Sequence, residues 1–157
     1  MAHRSTSTER LLVRIERDRF QPLLYQIATA GLSDDDIAYP VRGILRRQRN
    51  ATFRMGTVVG ADLATGSVTL SDGAVTPFDS LVIAVGAVSH SFGVDGVDDH
   101  ALAMKSVGDA EAIRDHVLKN FEAVAVDPAA VDDGTMNVVI VGGGPTGVEL
   151  AGGVAEL

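Results

Sequence analysis

The stretch NVVIVGGGPTGVELAGGVAEL (137–157) constrains this chain more than any other. An apolar run, MNVVIV (136–141), meets three consecutive glycines, and helix-forming residues follow. A short, continuously apolar run predicts a buried parallel strand at about 137–141, and Pro145 suits the first position of a helix. Gly142, Gly144 and Gly147 stand in the order G-x-G-x-x-G, with Gly143 between the first two. Gly142 permits the tight strand-to-helix turn, Gly144 lets backbone amides approach a pyrophosphate, and Gly147 lets the helix pack close to the strand. The helix start near Pro145 and Thr146 presents free N–H groups and a positive dipole end to phosphate. Residues 142–147 therefore match a dinucleotide cradle in its required context, after a strand and before a helix. A glycine turn with no ligand is the plainer alternative. A Walker A loop is excluded, because Val148 follows Gly147 where lysine is needed.

The acid that binds the adenosine ribose is expected ~20 residues further on, beyond Leu157. Glu16 raises the opposite expectation. It ends the apolar run LLVRI (11–15), where a strand of this kind places its ribose-binding acid, and the glycine turn belonging to it would precede Met1. The chain thus reads as the acidic half of one fingerprint and the glycine half of a second. A solvent-exposed strand end is the alternative for Glu16.

Between these ends, PLLYQIATAGL (22–32) predicts a helix capped at Gly31, and Asp34, Asp35 and Asp36 suit the start of another. Residues 53–78 alternate strand-like runs with turn signals at ATG (64–66) and SDG (71–73), which predicts an antiparallel meander. LVIAV (81–85) reads as a buried strand ending at Gly86. Residues 87–105 read as an acidic loop and 127–134 as a linker. Ser106 and Asp109 have capping-box spacing, and Ala110, Ile113, Val117, Phe121 and Val124 recur at threes and fours. They predict an amphipathic helix to about residue 125.

Net charge is −8, which argues against a nucleic-acid surface. The one basic cluster, Arg46, Arg47 and Arg49, reads as a solvated helix end. With no cysteine there is neither a disulfide nor a thiolate metal site. His3, His90, His100 and His116 show no ligand spacing, so no metal is expected. No apolar run approaches the ~20 residues of a membrane span, and the N-terminus lacks a signal-peptide core.

FQPLLYQIATAGL (20–32), FDSLVIAVGA (78–87) and VVIVGGGPTGVELAGGVAEL (138–157), in this order, resemble the type II NADH:quinone oxidoreductases. These are single-chain FAD enzymes of the two-dinucleotide-binding-domain flavoprotein superfamily. MKSVGDAEAIRDHVLKNFEAV (104–124) resembles the helix leading into their NADH domain. The resemblance implies an α/β chain: an incomplete FAD/NAD(P)-binding Rossmann-type fold with an antiparallel β-meander over 1–100, and the start of a second, NADH-binding Rossmann-type domain over 101–157. It implies FAD contacts from Glu16, Thr29, Val58, Ala84 and Gly86. It assigns Gly142, Gly143, Gly144, Pro145, Thr146 and Gly147 to NADH. It places Glu149 near the nicotinamide–flavin junction, as the candidate catalytic residue. A helix N-terminal carboxylate stabilised by the dipole is the alternative for Glu149. Where the superfamily usually has Ala-Thr-Gly, this chain has Ala84-Val85-Gly86.

The implied reaction is hydride transfer from NADH to flavin, with electrons passed to a quinone; the cofactors carry that chemistry. The absence of cysteine disfavours the disulfide-reductase branch. The resemblance also implies a cytoplasmic enzyme on a membrane surface facing the NADH pool, held there by a C-terminal part beyond Leu157. Two alternatives stand: a truncated remnant with no turnover, and a soluble flavin-dependent NAD(P)H reductase serving a protein acceptor such as a ferredoxin. The 157-residue chain by itself is expected to carry little FAD.

Overall fold

A computed structural model describes the backbone of residues 9–13 and 17–157, with side chains from Phe20 onward. Glu16 lies outside the described residues. In chain order the elements are β1 (Glu9–Val13), β2 (Arg17–Arg19), a 3-10 turn (Gln21–Leu23), α1 (Leu24–Ala28), α2 (Asp34–Ile37), β3 (Ala38–Pro40) and α3 (Val41–Leu45). Then come β4 (Ala51–Met55), β5 (Val58–Asp62), β6 (Ser67–Leu70), β7 (Val75–Pro77), α4 (Val97–His100), α5 (Val107–Val126), a second 3-10 turn (Pro128–Val131) and α6 (Pro145–Ala155). They form two compact units, one from the described residues up to Arg19 with Ala38–Gly86, the other from Phe20–Ile37 with Ala87–Leu157.

In the first unit β1 pairs with β4 in parallel, from Glu9 opposite Ala51 to Val13 opposite Met55. β2 and β3 pair antiparallel. β5, β6 and β7 make the antiparallel meander, with a register shift between Val58 and Gly60. Its turns fall at the two sequence signals and are built by aspartates, of which Asp62 lies before the first signal and Asp72 within the second. The Asp62 carboxylate accepts from the N–H groups of Ala64 and Thr65, and Asp72 accepts from Ala74. Such side-chain turns are a general property of aspartate. Hydrogen bonds from Thr65 and Ala64 hold the Asp62 carboxyl below the usual range. Gly66 takes a φ of +63°, and a Cβ there would stand 2.8 Å from the Phe78 carbonyl oxygen. In β6 the alternation buries Val68 and Leu70 on one face.

Two sequence expectations need correction here. The meander runs from Val58 to Pro77, while Ala51–Met55, of which 53–55 lie within the expected 53–78, pairs in parallel with β1. LVIAV (81–85), expected as a buried strand, joins no ladder among the described residues. Val82, Ile83 and Val85 are 87%, 71% and 90% exposed. Apolar composition suits a strand, but the ladder exists only where a neighbour supplies the hydrogen bonds.

The second unit is organised by α5. Its capping box is complete: Asp109 N–H donates to the Ser106 hydroxyl, and Ser106 N–H donates to the Asp109 carboxylate at 2.7 Å. Val107, Ala110, Ile113 and Val117 pack against Leu24, Ile27, Ala28 and Ile37, and Leu150 of α6 joins the edge of this core. Phe121, expected on the apolar stripe, is exposed. The helix expected over 22–32 is shorter, a 3-10 turn followed by Leu24–Ala28. It closes on Ala30 rather than Gly31: Ala30 N–H donates to Ile27 O and Gly31 N–H to Gln26 O. Ala30, at φ +57°, is the left-handed residue. The loop over 87–105 contains α4, and the linker contains the second 3-10 turn. Residues 137–141 lead toward α6 but join no ladder among the described residues, where the parallel strand expected there does not form.

Candidate functional site

Gly142 has a φ of +115°, a conformation open to glycine and strained for other residues. Gly144 then serves as the N-cap of α6 with extended backbone, Pro145 starts the helix, and Val148 N–H closes the first turn onto Gly144 O. No side chain caps this end. The first N–H groups of a helix have no intrahelical partner, so they face outward with the positive end of the dipole. Residues 142–146 are exposed.

The three glycines of the pattern differ in surroundings. A Cβ at Gly147 would collide with the Gly142 carbonyl oxygen and stand 3.5 Å from Ile140 Cγ2. This is the close packing of helix onto incoming chain that the spacing predicts. A Cβ at Gly142, Gly143 or Gly144 meets nothing within 4 Å. The space over these residues is open, and free N–H groups at a helix start suit phosphate as a ligand.

Further along α6, Glu149, Gly152, Gly153 and Glu156 line one side of an open hollow of about 580 Å³. Tyr25, Gln26, Thr29 and Gly31 line the other. Two expected site residues far apart in sequence, Thr29 and Glu149, therefore share one hollow. Thr29 is fixed there: its hydroxyl donates to Tyr25 O at 2.9 Å. A Cβ on Gly153 would stand 2.8 Å from Thr29 Cγ2, so only glycine lets α6 approach this closely. Tyr25, Gln26, Gly152, Gly153 and Glu156 were not singled out from sequence. The adjacent pair Gly152–Gly153 inside a helix was the available signal, since each glycine costs about 1 kcal/mol there and marks a close approach.

The remaining expected residues lie in the first unit. Val58 is the first residue of β5 and half of it is open to solvent. Ala84 and Gly86 are exposed at the end of the unpaired apolar segment, and Gly86 has a φ of +72°. Among the described residues no group of three His, Asp or Glu is placed to hold a metal ion.

The chain is 44% identical over 142 residues to the type II NADH:quinone oxidoreductase NdhA of Mycobacterium tuberculosis, an alignment covering 88% of this chain and 30% of that protein. With Ndh of the same organism, also named a type II NADH:quinone oxidoreductase, identity is 42% over 153 residues, or 94% of this chain and 33% of that protein. The chain thus spans about a third of the length of these relatives. The solved structure of NDH2 from Plasmodium falciparum in complex with NADH superposes with a TM-score of 0.76 over 94% of this chain and 32% of that one, at 24% identity. That likeness shows the fold, an open-sheet α/β arrangement with an antiparallel meander. The family described as pyridine nucleotide-disulphide oxidoreductase matches residues 8–157, and the chain belongs to it.

Proposed function

We propose that this chain serves a flavin-dependent NADH dehydrogenase that delivers electrons to a quinone. The observation that carries the reading is the glycine turn: Gly147 pressed onto the Gly142 carbonyl, an uncapped helix start, and open space over Gly142, Gly143 and Gly144. Its relatives named NADH:quinone oxidoreductases, at 42–44% identity, support the quinone over a protein acceptor.

Residues 1–100 belong on this reading to an FAD domain and 101–157 to the start of an NADH domain. That division is by ligand, whereas the two compact units are defined by contacts. Gly142, Gly143, Gly144, Pro145, Thr146 and Gly147 hold the NADH pyrophosphate on backbone N–H groups. Thr29, Val58, Ala84 and Gly86 contact FAD, and Glu16 takes its ribose. Bound together, the nicotinamide and the flavin supply the hydride-transfer chemistry. Thr29, tied to Tyr25 O, offers a fixed methyl and hydroxyl on the hollow's wall. Glu149 places a carboxylate on the opposite wall, where it orients the nicotinamide end. We place the enzyme in the cytoplasm against a membrane surface. Among the described residues no helix is long and apolar enough to cross a membrane.

Gly144→Val, made in the protein at the length of its relatives, tests the reading. The Cβ enters the space assigned to the pyrophosphate. The KM for NADH should rise at least about tenfold while the flavin spectrum is retained. An unchanged KM would make the turn structural only.

A further inference from the structure

Helix α1 sorts its side chains onto two sides. Leu24, Ile27 and Ala28 are buried in the core with α5, which leaves Tyr25, Gln26 and Thr29 on the wall of the hollow. The main chain there is satisfied from within. Tyr25 O accepts from Thr29 N–H and from the Thr29 hydroxyl. Gln26 O accepts from Gly31 N–H at 2.7 Å and from Leu32 N–H at 3.1 Å. Both residues are thus anchored by their backbones, and what they offer the hollow is their side chains, each half-buried. Gln26 Nε2 donates to the Tyr25 hydroxyl oxygen at 3.0 Å. Among the described residues, neither Gln26 Oε1 nor the Tyr25 hydroxyl hydrogen has a further partner. The two side chains hold each other in place and leave one donor and one acceptor side by side.

We propose that Tyr25 and Gln26 read the carboxamide of the nicotinamide, the Tyr25 hydroxyl donating to its carbonyl oxygen and Gln26 Oε1 accepting from its N–H. The proposal rests on the hollow being the nicotinamide end of an NADH site, and it adds the residues that select the ring substituent. A primary carboxamide carries an acceptor and a donor on one carbon, the complement of this pair. A quinone carbonyl only accepts, and would leave Gln26 Oε1 without a donor. The flavin ring also has an edge with both a donor and an acceptor, but that edge is neutral. Glu149 and Glu156 place two carboxylates on the other side of the hollow, and a cleft lined by one sign of charge favours the opposite sign. Oxidised nicotinamide is cationic and meets that condition. A site that bonds a ligand N–H discriminates against an analogue lacking it, because its own acceptor is then left unpaired.

The test reads binding rather than turnover. Calorimetry on the FAD-loaded protein at the length of its relatives gives the Kd for NAD+ and for acetylpyridine adenine dinucleotide, in which a methyl ketone replaces the carboxamide. The analogue keeps the carbonyl and lacks the N–H, so the unaltered protein should bind NAD+ about fivefold more tightly. Gln26→Leu should weaken NAD+ alone and bring the two Kd values together. Gln26→Glu keeps an acceptor oxygen and should restore the preference. Tyr25→Phe should weaken both dinucleotides alike, by about fivefold. A retained flavin spectrum shows that each variant is folded. Equal binding of the two dinucleotides by the unaltered protein, or an undiminished preference in Gln26→Leu, would overturn the proposal and leave the NADH site standing. So would loss of flavin from Gln26→Leu with the preference kept, which would assign the pair to the flavin edge. Failure of the unaltered protein to bind either dinucleotide would remove the NADH site and the proposal with it.

Discussion

Ala30 carries a φ of +57° at the end of α1, although the following Gly31 is the expected cap. A left-handed residue with a Cβ costs about 1–2 kcal/mol, and glycine at this position removes most of that cost. The Ala30 side chain is exposed, so its methyl contributes little packing in return. Ala30→Gly should therefore raise stability by about 1 kcal/mol, seen as a higher denaturant midpoint at unchanged slope, and Ala30→Val should lower it. A neutral or destabilising glycine would mean that the closing turn differs from the one described. The turn matters to the site, because the neighbouring Thr29 is held to Tyr25 O by the same chain reversal.

At the scale of elements, α5 is the one long helix of its unit, and its start depends on Ser106 and Asp109. Burial pushes the Asp109 carboxyl up. The Ser106 hydroxyl and the N–H groups of Lys105 and Ser106 outweigh it, and the net value lies below the ordinary 3.8. A carboxyl lowered by folding stabilises the fold above its unfolded pKa, and that contribution is lost as pH falls through the folded value. Asp109→Asn should therefore lose less stability than the unaltered chain between pH 7 and the acid side of 3.8, and Ser106→Ala should cost about 1 kcal/mol at neutral pH. Thermal melts followed by circular dichroism at both pH values check the two together. Identical acid sensitivity in the Asn variant would remove Asp109 from the cap.

The capping box was legible because its signal and its partners lie within four residues. The same holds for the turns at 64–66 and 71–73 and for the glycine turn at 142–147. The parallel pairing of β4 with β1 was not legible, since nothing in ATFRM (51–55) names a partner some forty residues earlier. Nor was the hollow. Thr29 and Glu149 came separately, by resemblance, and only the approach of α6 at Gly153 brings them together. Apolar runs at 81–85 and 137–141 read as strands because composition reports what a segment would bury. It does not report whether a neighbour is present to pair with it.

For the whole molecule those two runs are the main liability. Val82, Ile83 and Val85 in one unit and Val139 in the other stand largely in solvent, an amount of contiguous apolar chain that soluble monomers seldom leave open. Each run also offers unpaired backbone N–H and C=O groups, a template for pairing with another chain. The sequence contains a single G-x-G-x-x-G, at 142–147, and that turn is assigned to NADH. Thr29, Val58, Ala84 and Gly86 alone give FAD no pyrophosphate cradle. The 157-residue chain expressed by itself should therefore bind a hydrophobic dye, elute as a concentration-dependent range of oligomers, and carry well under one FAD per chain. It should not oxidise NADH with a soluble quinone. Light scattering coupled to size exclusion, with a flavin spectrum of the same fractions, measures both properties at once. A monodisperse monomer holding stoichiometric flavin would show that these residues complete a flavin site and bury both runs without further chain.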